Sequence, residues 1–204
     1  MKKINFNDRY GLTQAVIEGR KTMTRRLIPD EFFGLTWDTR GNTLVYENEY
    51  GDFIDVRLSK YTRYKVGEIV AVAQNYFSTY DESKWENGIW YNEFADGSDI
   101  TNHAGWLNKM LVKAEYMPHQ IRITGIHCER LQDISDAECL KEGVRVEFAR
   151  NGSPMYYYFD TKRWREVWFD TPREAFAALI DKVSGRGTWA SNPWVVVYEF
   201  ELVK

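Results

Sequence analysis

Gly19-Arg20-Lys21-Thr22-Met23-Thr24-Arg25-Arg26 lies at the junction between an amphipathic segment and the rest of the chain. Before it, Leu12, Ala15, Val16 and Gly19 fall near one face of a helix predicted over 8–18. Gly19 suits the position just past a helix end, where the backbone turns left-handed. Lys21 to Arg26 are then expected as a loop hung from that helix, which gives a binding or catalytic loop a fixed origin.

The stretch is also the most basic part of the chain. Residues 1–26 carry a net charge of +5, whereas the full 204-residue chain is at −3, so the remainder is acidic. A basic locus on an acidic body points to a pocket for a phosphate-bearing or polar ligand, not a broad duplex-binding surface. The length fits one domain, or one domain with a large insertion, able to bury roughly 70% of its unfolded surface. Cys128 and Cys139 form no CxxC pair and read as reduced structural thiols. His103, His119 and His127 show no ligand spacing with them, so no metal and no cofactor are expected. The N-terminus lacks the apolar core of a signal peptide, and no apolar run approaches a membrane span, so the expected location is cytoplasmic. Oligomeric state is not legible.

Outward from residue 26, strands are predicted over 43–47 and 53–58 around a turn at Asn48–Asp52. Lys65-Val-Gly-Glu leads into a buried strand through Ala73. Residues 78–110 are aromatic and aperiodic, and are expected as an insertion or lid. Gln120-Ile-Arg-Ile-Thr-Gly-Ile126 alternates as a strand. Ser135-Asp-Ala-Glu138 and Thr171-Pro-Arg-Glu174 are capping boxes, starting helices that Gly143 and Gly185 close. A second insertion rich in Tyr and Trp covers 144–168, and residues 194–203 alternate as a final strand. This order suggests an α+β domain with a curved or closed sheet. Gly185-Arg-Gly187 comes after a helix and precedes a strand, the reverse of a dinucleotide-binding fingerprint.

Several motifs occur in a fixed order: Gly19-Arg-Lys-Thr-Met-Thr-Arg, Tyr64-Lys-Val-Gly-Glu, Met117-Pro118, Glu129-Arg-Leu-Gln-Asp-Ile134, Glu142-Gly143 and Trp189-Ala-Ser-Asn-Pro-Trp194. Together they resemble the ASCH domain family of the PUA-like superfamily, in its longer bacterial and phage form. The resemblance touches most of the chain except roughly 78–108 and 144–168. It implies one domain over 1–204: a small PUA-like β-barrel, closed or strongly curved, with flanking helices and a cleft beside the loop after the first helix. It also implies a modified nucleoside or single-stranded RNA as partner, without a membrane. Short ASCH proteins include amidohydrolases that deacetylate N4-acetylcytidine through a lysine and a threonine in a GRKTxT-like loop, completed by a glutamate. Lys21 and Thr24 match the first two, and Glu142 is the candidate for the third. Val72-Ala73-Gln74-Asn75-Tyr76 departs from the family, whose long members often carry an Arg-Glu pair there.

The site admits two readings, of which the sequence favours the first, an amidohydrolase, with a non-catalytic binding module as the alternative. In the first, Thr24 attacks an acyl carbonyl, Lys21 is the base, and Glu142 protonates the leaving nitrogen. Burial and the charges of Arg20, Arg25 and Arg26 would make Lys21 a better base. In the second, the chain binds without chemistry. Lys21, Arg25 and Arg26 would contact phosphates, and Tyr76, Trp85 or Trp90 would stack a base. Arg20, Thr22, Arg25, Arg26 and Tyr76 are the expected substrate-binding residues. The plainer alternative leaves Arg20 and Lys21 as solvated charges at a helix C-terminus, and Thr22 and Thr24 as strand-entry residues.

Overall fold

The computed structural model describes residues 1–28, 34–59, 62–79 and 103–203. Two compact units emerge: one from residues 1–6, 69–121 and 203–204, the other from 7–68 and 122–202.

In the first unit β1 (Lys3–Ile4) runs parallel to β6 (Ile69–Val72). The apolar run Val70-Ala-Val-Ala73 is fully buried, as expected of a strand covered on both faces. Ala71, Ala73, Tyr76, Val112 and Met117 form its core, with Trp106 and Tyr116 packed alongside. Most of the predicted lid, with Trp85 and Trp90, lies outside the described residues.

The second unit holds the basic stretch. Gly11, at φ 65°, separates a 3-10 turn (Asp8–Tyr10) from a helix over Leu12–Ile17, so the predicted 8–18 helix is split. Gly19, at φ 71°, turns the chain out of that helix. The next segment is a strand, not the expected loop: β2 (Met23–Leu27) pairs antiparallel with β11 (Trp194–Leu202), Thr24 opposite Tyr198 and Arg26 opposite Val196. The strand forms because β11 supplies backbone partners that local sequence cannot reveal. On its other side β11 neighbours β7 (Gln120–Arg130).

Two small antiparallel sheets complete the unit. One is β3 (Thr36–Asp38), β4 (Thr43–Glu47) and β5 (Phe53–Asp55). The other is β8 (Arg145–Phe148), β9 (Pro154–Asp160) and β10 (Arg165–Phe169), which occupies the predicted 144–168 insertion. The Asp136–Lys141 and Pro172–Ser184 helices begin at the two capping boxes. Ala175, Phe176, Leu179 and Ile180 are the buried face of the longer helix.

The expected β-barrel is not formed: among the described residues no sheet closes on itself. Closure needs both edge strands of one sheet to pair with each other, at a consistent tilt and stagger. Here β3–β5 and β8–β10 are separate three-stranded ladders whose outer strands do not pair with each other. The class is α+β with open sheets.

Candidate functional site

Lys21 is 2% exposed and ends in a cage of three acceptors. Its Nζ donates to Glu142 Oε2 at 2.6 Å, Glu142 O at 2.7 Å and Met23 O at 2.8 Å. An ammonium has three N–H donors, and these acceptors use all of them, whereas a neutral amine could serve two. Burial pushes the Lys21 pKa down from its ordinary 10.5; the Glu142 carboxylate pulls the other way, and the Arg26 and Arg25 charges add to the lowering.

Local structure puts Glu142 there. The Ser135 capping box starts the short helix, and Glu142 is its C-cap, its N–H donating to Glu138 O. Gly143 then takes φ 106°, a conformation that disfavours other residues. A Cβ at Gly143 would stand 3.0 Å from Leu12 Cδ2 and 3.6 Å from Lys21 Cδ. The turn therefore lets the helix end close against both the first helix and the lysine.

Arg25 completes the cluster, its side chain 1% exposed. Nη1 donates to Glu142 Oε1 at 3.2 Å and touches Met23 Sδ at 3.2 Å. Nε reaches Glu129 Oε1 at 2.7 Å, and Nη2 lies 2.7 Å from the same oxygen and 3.4 Å from Glu138 Oε2. Both Glu142 oxygens thus face cations. Burying two cations without such partners would be prohibitive, so the glutamates account for how Lys21 and Arg25 sit inside.

Pleating sorts the rest of the basic stretch. Alternate residues of a strand face opposite sides, so Met23 and Arg25 point one way and Thr24 and Arg26 the other. Thr24 is buried in register with Tyr198, on the face away from Arg25. Arg26 acts electrostatically on Tyr64 and Tyr198. Thr22 is tied by its backbone, its N–H donating to Lys141 O and its C=O accepting from Phe200 N. Arg20 is half-buried and turns back to Glu18, its Nε 2.7 Å from Oε2. Tyr76 is buried in the core of the first unit, its ring edge-on to His103, and does not offer the expected open stacking face.

Among the described residues, His127, Glu129 and Glu138 are a group that could reach one metal ion, with ligand atoms within 4.8 Å of each other. Arg25 already sits against both carboxylates, which supplies the positive charge a cation would bring. Burial raises the Cys128 and Cys139 thiols to about 12, which removes them as nucleophiles near neutral pH. No described helix is long and apolar enough to cross a membrane.

Sequence reasoning misses Glu129 and Glu138 as partners of Arg25. The motif Glu129-Arg-Leu-Gln-Asp-Ile134 marks the segment without saying where Glu129 points. Comparison of the chain with protein-family models, curated proteins and solved structures finds no match.

Proposed function

We propose that the chain binds a modified nucleoside or a short stretch of single-stranded RNA and does not hydrolyse it. The saturation of Lys21 carries this reading. A general base needs a free lone pair within reach of the proton it takes. Here the amine donates to three acceptors, one of them a carboxylate at 2.6 Å, and Thr24 lies on the face of β2 opposite Arg25. The ASCH resemblance favours RNA or a modified base as the ligand.

A second reading rests on a specific observation. A buried lysine of lowered pKa beside a glutamate is also what an acid–base pair looks like. In that reading the pair opens when a substrate such as N4-acetylcytidine binds. Ultraviolet detection of cytidine release, with the parent chain and Thr24→Ala side by side, separates the two. Binding without chemistry predicts no release by either protein, together with salt-dependent binding of a short RNA. Release by the parent that Thr24→Ala abolishes would establish the hydrolase instead.

A further inference from the structure

In the second unit a cleft of about 600 Å³ opens between the end of β2 and the 186–194 segment. Its walls include Leu27, Ile28 and Pro193, and two guanidinium groups, Arg130 and Arg186, border it with the hydroxyl residues Thr188 and Ser191. Pockets of this size commonly take a small organic ligand.

The cations are built into the cleft in different ways. Arg130 lies over the Trp194 indole, its Cζ 4.3 Å from the ring centroid. Trp37 stacks on Trp194 at 5.8 Å with an interplanar angle of 5°. A guanidinium can offer its N–H donors to a phosphate and its planar face to a base. Arg130 makes one backbone contact, Nη1 to Asn192 O at 3.3 Å, and forms no ion pair with a described residue. Arg186 is exposed and likewise has no carboxylate partner among the described residues.

Hydrogen bonds hold the 186–194 side of the cleft in place. Asp181 accepts from Gly187 N and Trp189 N, at 3.0 and 2.8 Å, which fixes the turn carrying Arg186. Gln132 bonds Trp189 O and Asn192 Oδ1, Leu131 N bonds Pro193 O, and Ile28 N bonds Trp194 O. Preorganised groups lose little freedom on binding.

We infer that this cleft, lined by Arg130, Arg186 and Trp194, binds a phosphorylated nucleotide, with the base against Arg130 and the apolar wall and the phosphate between the two guanidiniums. The inference rests on the binding reading above and gives it a site separate from Lys21.

The test uses the full chain, a fluorescein-labelled single-stranded RNA of about eight nucleotides, cytidine 5′-monophosphate and inorganic phosphate. Arg130→Gln and Arg186→Gln are compared with Lys162→Gln, an exposed control away from the cleft. Anisotropy titration should show each cleft variant binding about tenfold more weakly, with the salt slope reduced by about one, and the control unchanged. RNA binding unaffected by both cleft variants would overturn the cleft while leaving the binding reading intact. Binding of the monophosphate but not the RNA, with the same arginine dependence, would support the cleft and make a free nucleotide its ligand. Competition by inorganic phosphate as strong as by the monophosphate would overturn the role given to the base. Absence of binding to every probe at low salt would overturn both proposals.

Discussion

Glu142→Gln removes a charge while keeping the size of the side chain, and the structure says what that leaves behind. Lys21 Nζ keeps its two carbonyl acceptors but stays buried as a cation with no carboxylate beside it. Arg25 loses one of its three acidic neighbours. Breaking a buried pair from one side costs about 3–5 kcal/mol, because the partner charge remains inside. In a chain of this length each kcal/mol moves Tm by about 2–4 °C, so a fall of about 6–20 °C is expected. Urea denaturation followed by tryptophan fluorescence measures the loss directly, with an unchanged m-value. Lys21→Met in the Glu142→Gln background should restore part of the stability, since no unmatched ammonium is then buried. The two substitutions should therefore couple by about 1–3 kcal/mol. A Glu142→Gln protein within about 0.5 kcal/mol of the parent, or strict additivity in the double variant, would refute the reasoning.

Other consequences are as specific. Asp160 takes two hydrogen bonds from Arg9, which hold its carboxyl below its ordinary 3.8. The folded chain then releases that proton more readily than the unfolded one, so the contribution is complete above 3.8 and is lost as pH falls through the lowered value. Asp160→Asn should thus be less stable than the parent at pH 7, and the gap should close as pH falls through that lowered value in acid titrations followed by circular dichroism. Gly143→Ala should destabilise by about 1–3 kcal/mol in urea melts, because φ 106° strains alanine and its Cβ meets Leu12. Cys128 and Cys139 should resist a thiol reagent at pH 8 in the folded chain and react at once in denaturant.

How far the fold can be read varies with the range of the interactions involved. Both capping boxes start helices where Ser135 and Thr171 place them, because the bonds that make a capping box span three residues. The segment 194–202 reads as a strand and forms β11, but not by the expected alternation: Val195, Val196, Val197 and Tyr198 are buried in succession, as in a strand covered on both faces. The polar run from Lys21 to Arg26 reads locally as a loop, and its strand character comes from β11, about 170 residues later. Sheet closure is hidden for the same reason: alternation marks a strand but does not choose its neighbour.

The site divides in the same way. Lys21 and Glu142, picked out from separate motifs, meet at 2.6 Å. A lysine and two arginines among six residues suggest a solvated surface, yet Lys21 and Arg25 are buried on acids more than a hundred residues away. Thr24 reads as a neighbour of Lys21 because a loop has no defined faces; once the segment is a strand, pleating turns Thr24 to the other side. Trp189 to Trp194 stands out in the sequence, but the pairing of Trp194 with Arg130 depends on the ends of β7 and β11 lying side by side.

Lys21 is a held ammonium and not a waiting base. Nitrogen NMR of the lysine side chains at pH 7, with the signal assigned by Lys21→Met, reads that state directly. A protonated Nζ whose hydrogens exchange slowly with water is the predicted result, as three occupied donors require. A neutral or rapidly exchanging amine at that position would contradict it and return the chain to the hydrolase reading.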